Sequence, residues 1–136
     1  FCVIRNPYDR MVSEYSYRHK NDPSKDNPAD LNLWLRTHLN ESHVKKGRLN
    51  CHFIPQTEYV RDSNGRSTCT YPIRFESLTS EFNQLMLKKN VNLVMPPNKK
   101  DNKSNFSLTA KDIDFENRAL IANYYKDDIQ LWNSLT

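Results

Sequence analysis

The segment that most constrains the fold is the beginning of the chain, where an apolar run meets an Arg-Asn-Pro step. Residues 1–4 are Phe, Cys, Val and Ile, which is typical of a short buried strand. Asn6 can cap a helix, and Pro7 is favoured at the first helical position because that position needs no backbone donor. Apolar side chains then recur at positions 8, 11, 12 and 15, with the period of a helix. The pattern predicts a strand, a tight connection and a helix over residues 7–20.

Two polar residues of this segment, Arg5 and Ser13, have the chemistry of an anion site. Arg5 follows the predicted strand, and both its guanidinium and the N-terminus of the next helix favour a negative charge. At about 100° per residue, Ser13 points roughly 140° away from Tyr8, so its hydroxyl lies off the apolar face. The alternative is that Arg5 pairs with a carboxylate, as arginines at such junctions usually do. The residues alone leave both interpretations open.

The rest of the chain alternates between short helical and short extended patterns. A second helix is predicted over residues 29–39, and short strands over residues 59–60 and 71–75 flank the turn signal Ser63-Asn64-Gly65, which suggests a hairpin. Ser77 is a predicted helix cap, and Thr109 with Asp112 resembles a capping box for the last long helix. We therefore expect one α/β domain over residues 1–136. With two glycines in the chain, no glycine-rich phosphate loop is present.

Composition narrows the class of ligand without identifying it. The formal charge of +4 suits an anionic ligand. No basic run exceeds three residues and the aromatic residues follow core periodicity, so a nucleic-acid-binding domain is a disfavoured alternative. The mean hydropathy of −0.86 predicts no membrane span. The chain begins within an apolar run and without methionine, so we expect a piece of a longer protein.

Cysteines and asparagine triplets leave the cellular compartment open. Cys51 and Cys69 could form a disulfide across the middle of the chain, and two ordinary thiols are the alternative. Asn-x-Ser triplets begin at Asn40, Asn102 and Asn105, a number close to chance in a chain so rich in asparagine and serine. Neither feature decides between a secreted and a cytoplasmic protein.

Three stretches of the sequence resemble sulfotransferases, in the branch that contains the Golgi carbohydrate enzymes and their algal, microbial and viral relatives. The first, FCVIRNPYDRMVSEY at residues 1–15, is similar to the 3′-phosphate-binding segment of that family. The others, CHFIPQTEYV at residues 51–60 and IRFESL at residues 73–78, resemble segments that follow it. The resemblance implies a partial P-loop-like sulfotransferase domain, in which helices flank the remnant of a short parallel sheet.

The resemblance also implies a reaction and a set of site residues. A sulfuryl group would pass from 3′-phosphoadenosine 5′-phosphosulfate, the co-substrate, to a hydroxyl of a carbohydrate acceptor, leaving adenosine 3′,5′-bisphosphate. Arg5 and Ser13 would bind the 3′-phosphate of the nucleotide, and Lys103 and Ser104 would contribute from a loop that closes over it. His52 is the candidate for the catalytic acid or base, because histidine titrates near neutral pH. A structural or acceptor-contacting histidine is the alternative.

The resemblance leads to further expectations about acceptor binding, the lysine-bearing loop and the cellular compartment. Gln56 would bind the acceptor or order its own loop. The family's lysine-bearing loop, which handles the sulfate end of the donor, precedes the first matching segment, so we expect the isolated chain to be inactive. No metal and no nucleic acid are expected, and membrane attachment would come only through a segment outside this chain. A eukaryotic member would work in the Golgi lumen, and any other in the cytoplasm. The alternative function is a non-catalytic nucleotide- or glycan-binding module with the same fold.

Overall fold

The computed structural model of the protein describes residues 1–46, 51–97 and 105–135. The fold is mixed α/β and mostly helical, with β1 (Cys2–Ile4) and β2 (Pro72–Arg74) as its strands. The helices are α1 (Pro7–Arg18), α2 (Pro28–His38), α3 (Glu41–Lys46), α4 (Thr57–Val60), α5 (Leu78–Lys88), α6 (Phe115–Tyr124) and α7 (Lys126–Asn133). Single 3-10 turns occur at Pro23–Lys25, Cys51–Phe53, Phe75–Ser77 and Ala110–Asp112. In this described part, no helix is long and apolar enough to cross a membrane.

The two strands form a short parallel sheet. Cys2 pairs with Pro72, Val3 with Ile73 and Ile4 with Arg74. Parallel strands need a long crossover, and here the crossover contains α1 to α4. The predicted α/β class with a short parallel sheet and flanking helices is therefore confirmed.

The start of α1 follows the local sequence signals. The Asn6 side chain accepts a hydrogen bond from the Tyr8 amide at 2.9 Å, and Pro7 is the first helical residue. Met11, Val12 and Tyr15 are buried, and Tyr8 packs against the same cluster, so the predicted apolar face is confirmed. The helix ends two residues earlier than predicted, at Arg18.

The main core lies between α1, α2 and the C-terminal helices. Its buried apolar residues are Met11, Val12, Tyr15, Leu31, Trp34, Leu35, Leu39, Val44, Phe53, Ile113, Ile121 and Tyr125. Burial of each large side chain of this kind stabilises the fold by about 1.5–3 kcal/mol. On the sheet side, Ile4, Ile73, Phe82 and Leu85 are also buried, where α5 packs against β2. The sheet is attached to the helical part through the beginning of α1 and through Arg74 of β2, which donates to the Trp132 carbonyl oxygen of α7 at 3.2 Å.

The predicted hairpin over residues 59–75 is wrong, although its turn is present. Residues 59–60 belong to α4, and the segment has a single antiparallel bridge, between Arg61 and Ser67. Gly65 has a φ of 73°, which glycine adopts without steric cost. The strand at 72–74 is real, but its partner is β1, because the pairing was decided by contacts that a local pattern does not contain.

The predicted capping box is present but caps a different element. The Thr109 hydroxyl and amide bond to Asp112, and together they close the 3-10 turn Ala110–Asp112. The following helix α6 has its own cap, Asp114, whose carboxylate accepts a hydrogen bond from the Asn117 amide at 2.9 Å.

The cysteines pair differently from either sequence expectation. Cys2 forms a disulfide with Cys69 across a separation of 67 residues, and Cys51 is free and exposed. The Cys51–Cys69 pair is therefore wrong, and so is the alternative of two ordinary thiols. The parallel register places Cys2 opposite Pro72, close to Cys69, and no local sequence pattern indicates that register. The disulfide joins the two strands at their amino ends.

Candidate functional site

Arg5 lies at the carboxyl edge of the sheet, directly after β1. Phe75 follows β2 in the same way, and the register of Ile4 with Arg74 brings the two ends together. The guanidinium carbon of Arg5 lies 4.4 Å from the centroid of the Phe75 ring. Phe75 is 45% exposed, so the edge presents a cation beside an accessible ring. Ligands of open parallel α/β folds bind at this edge of the sheet.

The Arg5 guanidinium is only partly satisfied by the protein. Its Nε is buried and has no hydrogen-bond partner, and no ion pair of Arg5 occurs within residues 1–46, 51–97 and 105–135. Burial lowers the pKa of Arg5, while the nearby Asp9 and Glu76 carboxylates act in the opposite direction. Arginine still remains protonated at neutral pH. A partly desolvated cation with an unfilled donor favours an external anion.

Ser13 lies on α1, off the core, as the periodicity predicts. Its side chain is half-buried, and its hydroxyl makes no hydrogen bond to another described residue. It follows Pro7 by six residues, which corresponds to about 9 Å along the helix axis. The structure gives no direct contact between Ser13 and Arg5. A single phosphate can contact both only if the long Arg5 side chain reaches along the first two turns of α1 towards Ser13.

Gln56 is bonded to the backbone of Arg5. The Arg5 amide donates to Gln56 Oε1 at 2.9 Å, and Gln56 Nε2 donates to the Arg5 carbonyl oxygen at 2.8 Å. Both ends of the amide are therefore used to fix the Arg5 backbone, which corresponds to the loop-ordering role. The acceptor-binding role of Gln56 stays a prediction.

A buried carboxylate, Asp128 of α7, holds the next residues of this loop. It accepts hydrogen bonds from the Gln56 amide at 2.7 Å and from the Thr57 amide and hydroxyl at 2.9 Å. Arg10 lies 3.7 Å from the same carboxylate and donates to the carbonyl oxygens of His52 and Ile54 at 2.7 and 2.8 Å. Sequence reasoning assigned no role to Asp128 or Arg10. No local signal could have done so, because the network joins residues as far apart in the sequence as Arg10 and Asp128, which are 118 positions apart.

His52 forms a hydrogen-bonded pair with Glu14 of α1. The distance from His52 Nδ1 to Glu14 Oε2 is 2.6 Å, and the other oxygen of Glu14 accepts from Arg18 Nε at 2.6 Å. A carboxylate can only accept, so Nδ1 carries a proton and Nε2 is the nitrogen left to exchange one. The His52 side chain is 43% exposed, so a bound molecule can reach it. This arrangement suits a general base.

The same loop connects the two candidate centres. Its end at Gln56 bonds to Arg5 before α1, and its beginning at His52 bonds to Glu14 in the second half of α1. The loop therefore runs antiparallel to α1, with Arg5 at one end and the His52–Glu14 pair at the other. Since Ser13 precedes Glu14, its hydroxyl belongs to the same helical turn as the pair.

The remaining predicted site residues and the comparisons with known proteins add no further support. Lys103 and Ser104 lie outside the described residues. Within the described part of the chain, no group of three or more His, Cys, Asp or Glu side chains could hold a metal ion. No family model matches the sequence, and no curated protein or solved structure matches it.

Proposed function

We propose that this chain binds the 3′-phosphate end of 3′-phosphoadenosine 5′-phosphosulfate and serves a sulfotransferase that modifies a carbohydrate hydroxyl. The observation that carries the proposal is the Arg5 guanidinium at the carboxyl edge of a parallel sheet, which has no ion pair and no side-chain hydrogen bond to another described residue. A dianionic phosphate would accept hydrogen bonds from its two terminal nitrogens. The resemblance of residues 1–15, 51–60 and 73–78 to sulfotransferases points to the same nucleotide.

In this proposal, each residue contributes a different part of donor binding. Arg5 gives the fixed positive charge and Ser13 a neutral donor, a combination that suits a phosphate. Phe75 offers an exposed aromatic face to the nucleoside beside that phosphate. Gln56 keeps the Arg5 backbone in place through two hydrogen bonds.

The proposed reaction is an in-line displacement at sulfur. The acceptor hydroxyl oxygen forms a bond to sulfur, the bond from sulfur to the phosphate oxygen breaks, and adenosine 3′,5′-bisphosphate leaves. His52 Nε2 takes the hydroxyl proton, while Glu14 holds Nδ1 and stabilises the imidazolium that forms. The positive charge that stabilises the leaving phosphate would come from a lysine-bearing loop, which these 136 residues do not contain.

The second candidate is a nucleotide- or glycan-binding module without turnover. The absence of a glycine-rich, lysine-bearing phosphate loop from the 136 residues favours it. The two candidates share the 3′-phosphate site and differ in whether His52 works as a base.

Calorimetric titration tests the shared site. We expect adenosine 3′,5′-bisphosphate to bind more tightly than adenosine 5′-monophosphate, which lacks the 3′-phosphate. Arg5→Ala should weaken binding of the bisphosphate about 10- to 100-fold, because charge-assisted hydrogen bonds contribute about 1.5–3 kcal/mol. Ser13→Ala should weaken its binding about fivefold. Arg66→Ala, in an exposed turn, is the matched control. Equal affinity for both nucleotides, or equal loss in the control, contradicts the proposal.

Sulfate transfer separates the two candidates. With the longer protein that is expected to carry the lysine-bearing loop, radiolabelled sulfate should pass from the donor to a carbohydrate polymer, and His52→Ala should abolish transfer while nucleotide affinity is retained. Transfer that persists unchanged in this variant removes His52 from the mechanism. Nucleotide binding without any transfer supports the binding module.

A further inference from the structure

We propose that Asn105 is an N-glycosylation site, modified before the chain folds. Asn105-Phe106-Ser107 is an Asn-x-Ser triplet without proline, the acceptor pattern for oligosaccharide transfer. The triplet alone would be weak evidence. Two structural observations that do not depend on the nucleotide site add to it.

The first observation is the way the triplet is held on the surface. Asn105 is exposed and its side chain makes no hydrogen bond to a described residue. Phe106 packs against the main core, with its ring centroid 6.1 Å from that of Tyr15. Ser107 is tied to Asp26 through its amide at 2.9 Å and its hydroxyl at 3.0 Å. The two residues after Asn105 are anchored, while Asn105 itself can carry a large group without displacing packing among the described residues.

The triplet at Asn40 differs in this respect. The Asn40 Oδ1 accepts a hydrogen bond from the His43 amide at 3.2 Å, at the start of α3. Its Nδ2 is 3.4 Å from the Thr37 carbonyl oxygen and 3.2 Å from His43 Nδ1. Both ends of the Asn40 amide are thus engaged in capping, and a glycan on Nδ2 would compete with these contacts. The third triplet, at Asn102, lies outside the described residues.

The second observation is the Cys2–Cys69 disulfide. Disulfides form and persist in oxidising compartments such as the endoplasmic reticulum lumen, and are rare in the cytosol. Oligosaccharide transfer to Asn-x-Ser takes place in that same lumen. The disulfide therefore places this chain where the acceptor triplet is accessible to the reaction.

The geometry also fixes the order of events. In the reaction, Asn105 Nδ2 forms a bond to the anomeric carbon of a lipid-linked oligosaccharide diphosphate. The carbon–oxygen bond to the diphosphate breaks, the lipid diphosphate leaves, and one Nδ2 proton is released to solvent. The transferase must recognise the Ser107 hydroxyl, which Asp26 occupies in the folded chain. Transfer to Asn105 therefore precedes formation of the contact between Ser107 and Asp26.

Translation of the chain behind a cleavable signal sequence, in the presence of animal-cell microsomes, tests the proposal. Only chains that are protected from added protease are scored, so every chain counted has entered the lumen. We expect a mobility shift that peptide N-glycosidase removes. Asn105→Gln should abolish the shift, and Asn40→Gln should keep it. Ser107→Ala should abolish it and Ser107→Thr should restore it, because threonine keeps the hydroxyl. Asp26→Ala should leave occupancy equal or higher.

Three results overturn the proposal. The first is a protected wild-type chain without any glycosidase-sensitive shift. The second is a shift that persists in Asn105→Gln and disappears in Asn40→Gln or Asn102→Gln. The third is loss of occupancy in Asp26→Ala, which would mean that the folded contact is needed. Nucleotide titrations of the glycosylated chain are a separate measurement, so failure of the nucleotide site leaves this result unchanged.

Discussion

Removal of the Cys2–Cys69 disulfide should destabilise the fold by about 4 kcal/mol. The bond closes a loop across 67 residues, and the entropy that such a crosslink removes from the unfolded chain grows with the logarithm of loop length. For this loop the chain-entropy relation gives about 15 cal/mol/K, which is roughly 4 kcal/mol at 25 °C. The loss is large compared with the total stability of about 5–15 kcal/mol that is typical of a small domain.

The free cysteine offers a matched control. Cys51 is exposed and unpaired, so Cys51→Ala should change the free energy of unfolding by less than about 0.5 kcal/mol. The double variant Cys2→Ala/Cys69→Ala is best made in that background, where no third thiol can form a non-native disulfide. Urea unfolding can be followed by the fluorescence of Trp34, which is 7% exposed in the folded state. The midpoint and the slope then give the free energy of unfolding.

The same variant should weaken nucleotide binding. The sheet has three residue pairs, and a two-stranded sheet of this length is marginal without further support. The disulfide ties β1 to the segment just before β2, so its loss should weaken all three residue pairs of the sheet and with them the carboxyl edge that carries Arg5 and Phe75. The reasoning is refuted if the double variant stays within 0.5 kcal/mol of its parent, or if Cys51→Ala alone is equally destabilising.

Three further predictions concern the residues that support the site. Asp128→Ala should cost about 3–5 kcal/mol in urea unfolding, because Arg10 would keep a buried charge without its carboxylate; a loss below 1 kcal/mol would contradict this network. Gln56→Ala should lower the protection of the Arg5 backbone amide from hydrogen exchange and weaken binding of adenosine 3′,5′-bisphosphate. Unchanged protection would show that the Gln56 side chain does not hold the Arg5 backbone in place. Burial raises the pKa of Tyr15 to about 12 from 10.0, so the folded state keeps this proton and stability should fall as the pH rises from 10 towards 12. Tyr15→Phe should make stability depend less on pH between 10 and 12, and an identical slope in both proteins would contradict this prediction.

Local elements of this fold could be predicted from the sequence, because local contacts determine them. The beginning of α1 follows from Asn6 and Pro7, and its buried face follows from the apolar period. The turn at Gly65 was also predicted correctly. In each case the deciding hydrogen bonds or packing involve residues a few positions apart, so the pattern contains the information.

Features decided by distant contacts could not be predicted in the same way. The strand at Pro72–Arg74 was expected to pair with its neighbour, but it pairs with β1, about 70 residues earlier. The disulfide follows from that register, so the cysteine prediction failed with it. The assignment of Arg5 and His52 to a site stays a prediction, and the contact of His52 with Glu14 could not be expected, because the two residues are 38 positions apart.

Arg5 and Arg10 lie in the same short segment of the sequence, and only their structural surroundings distinguish a structural role from a ligand-binding role. Both carry the same charge and lie five positions apart, yet their surroundings differ. Arg10 is committed to the protein, since it donates to two carbonyl oxygens and faces the buried Asp128 carboxylate. Arg5 forms no ion pair with another described residue and lies beside an exposed ring at the sheet edge. In the proposed nucleotide site, a change of Arg10 should therefore lower both stability and binding, and a change of Arg5 should lower binding alone.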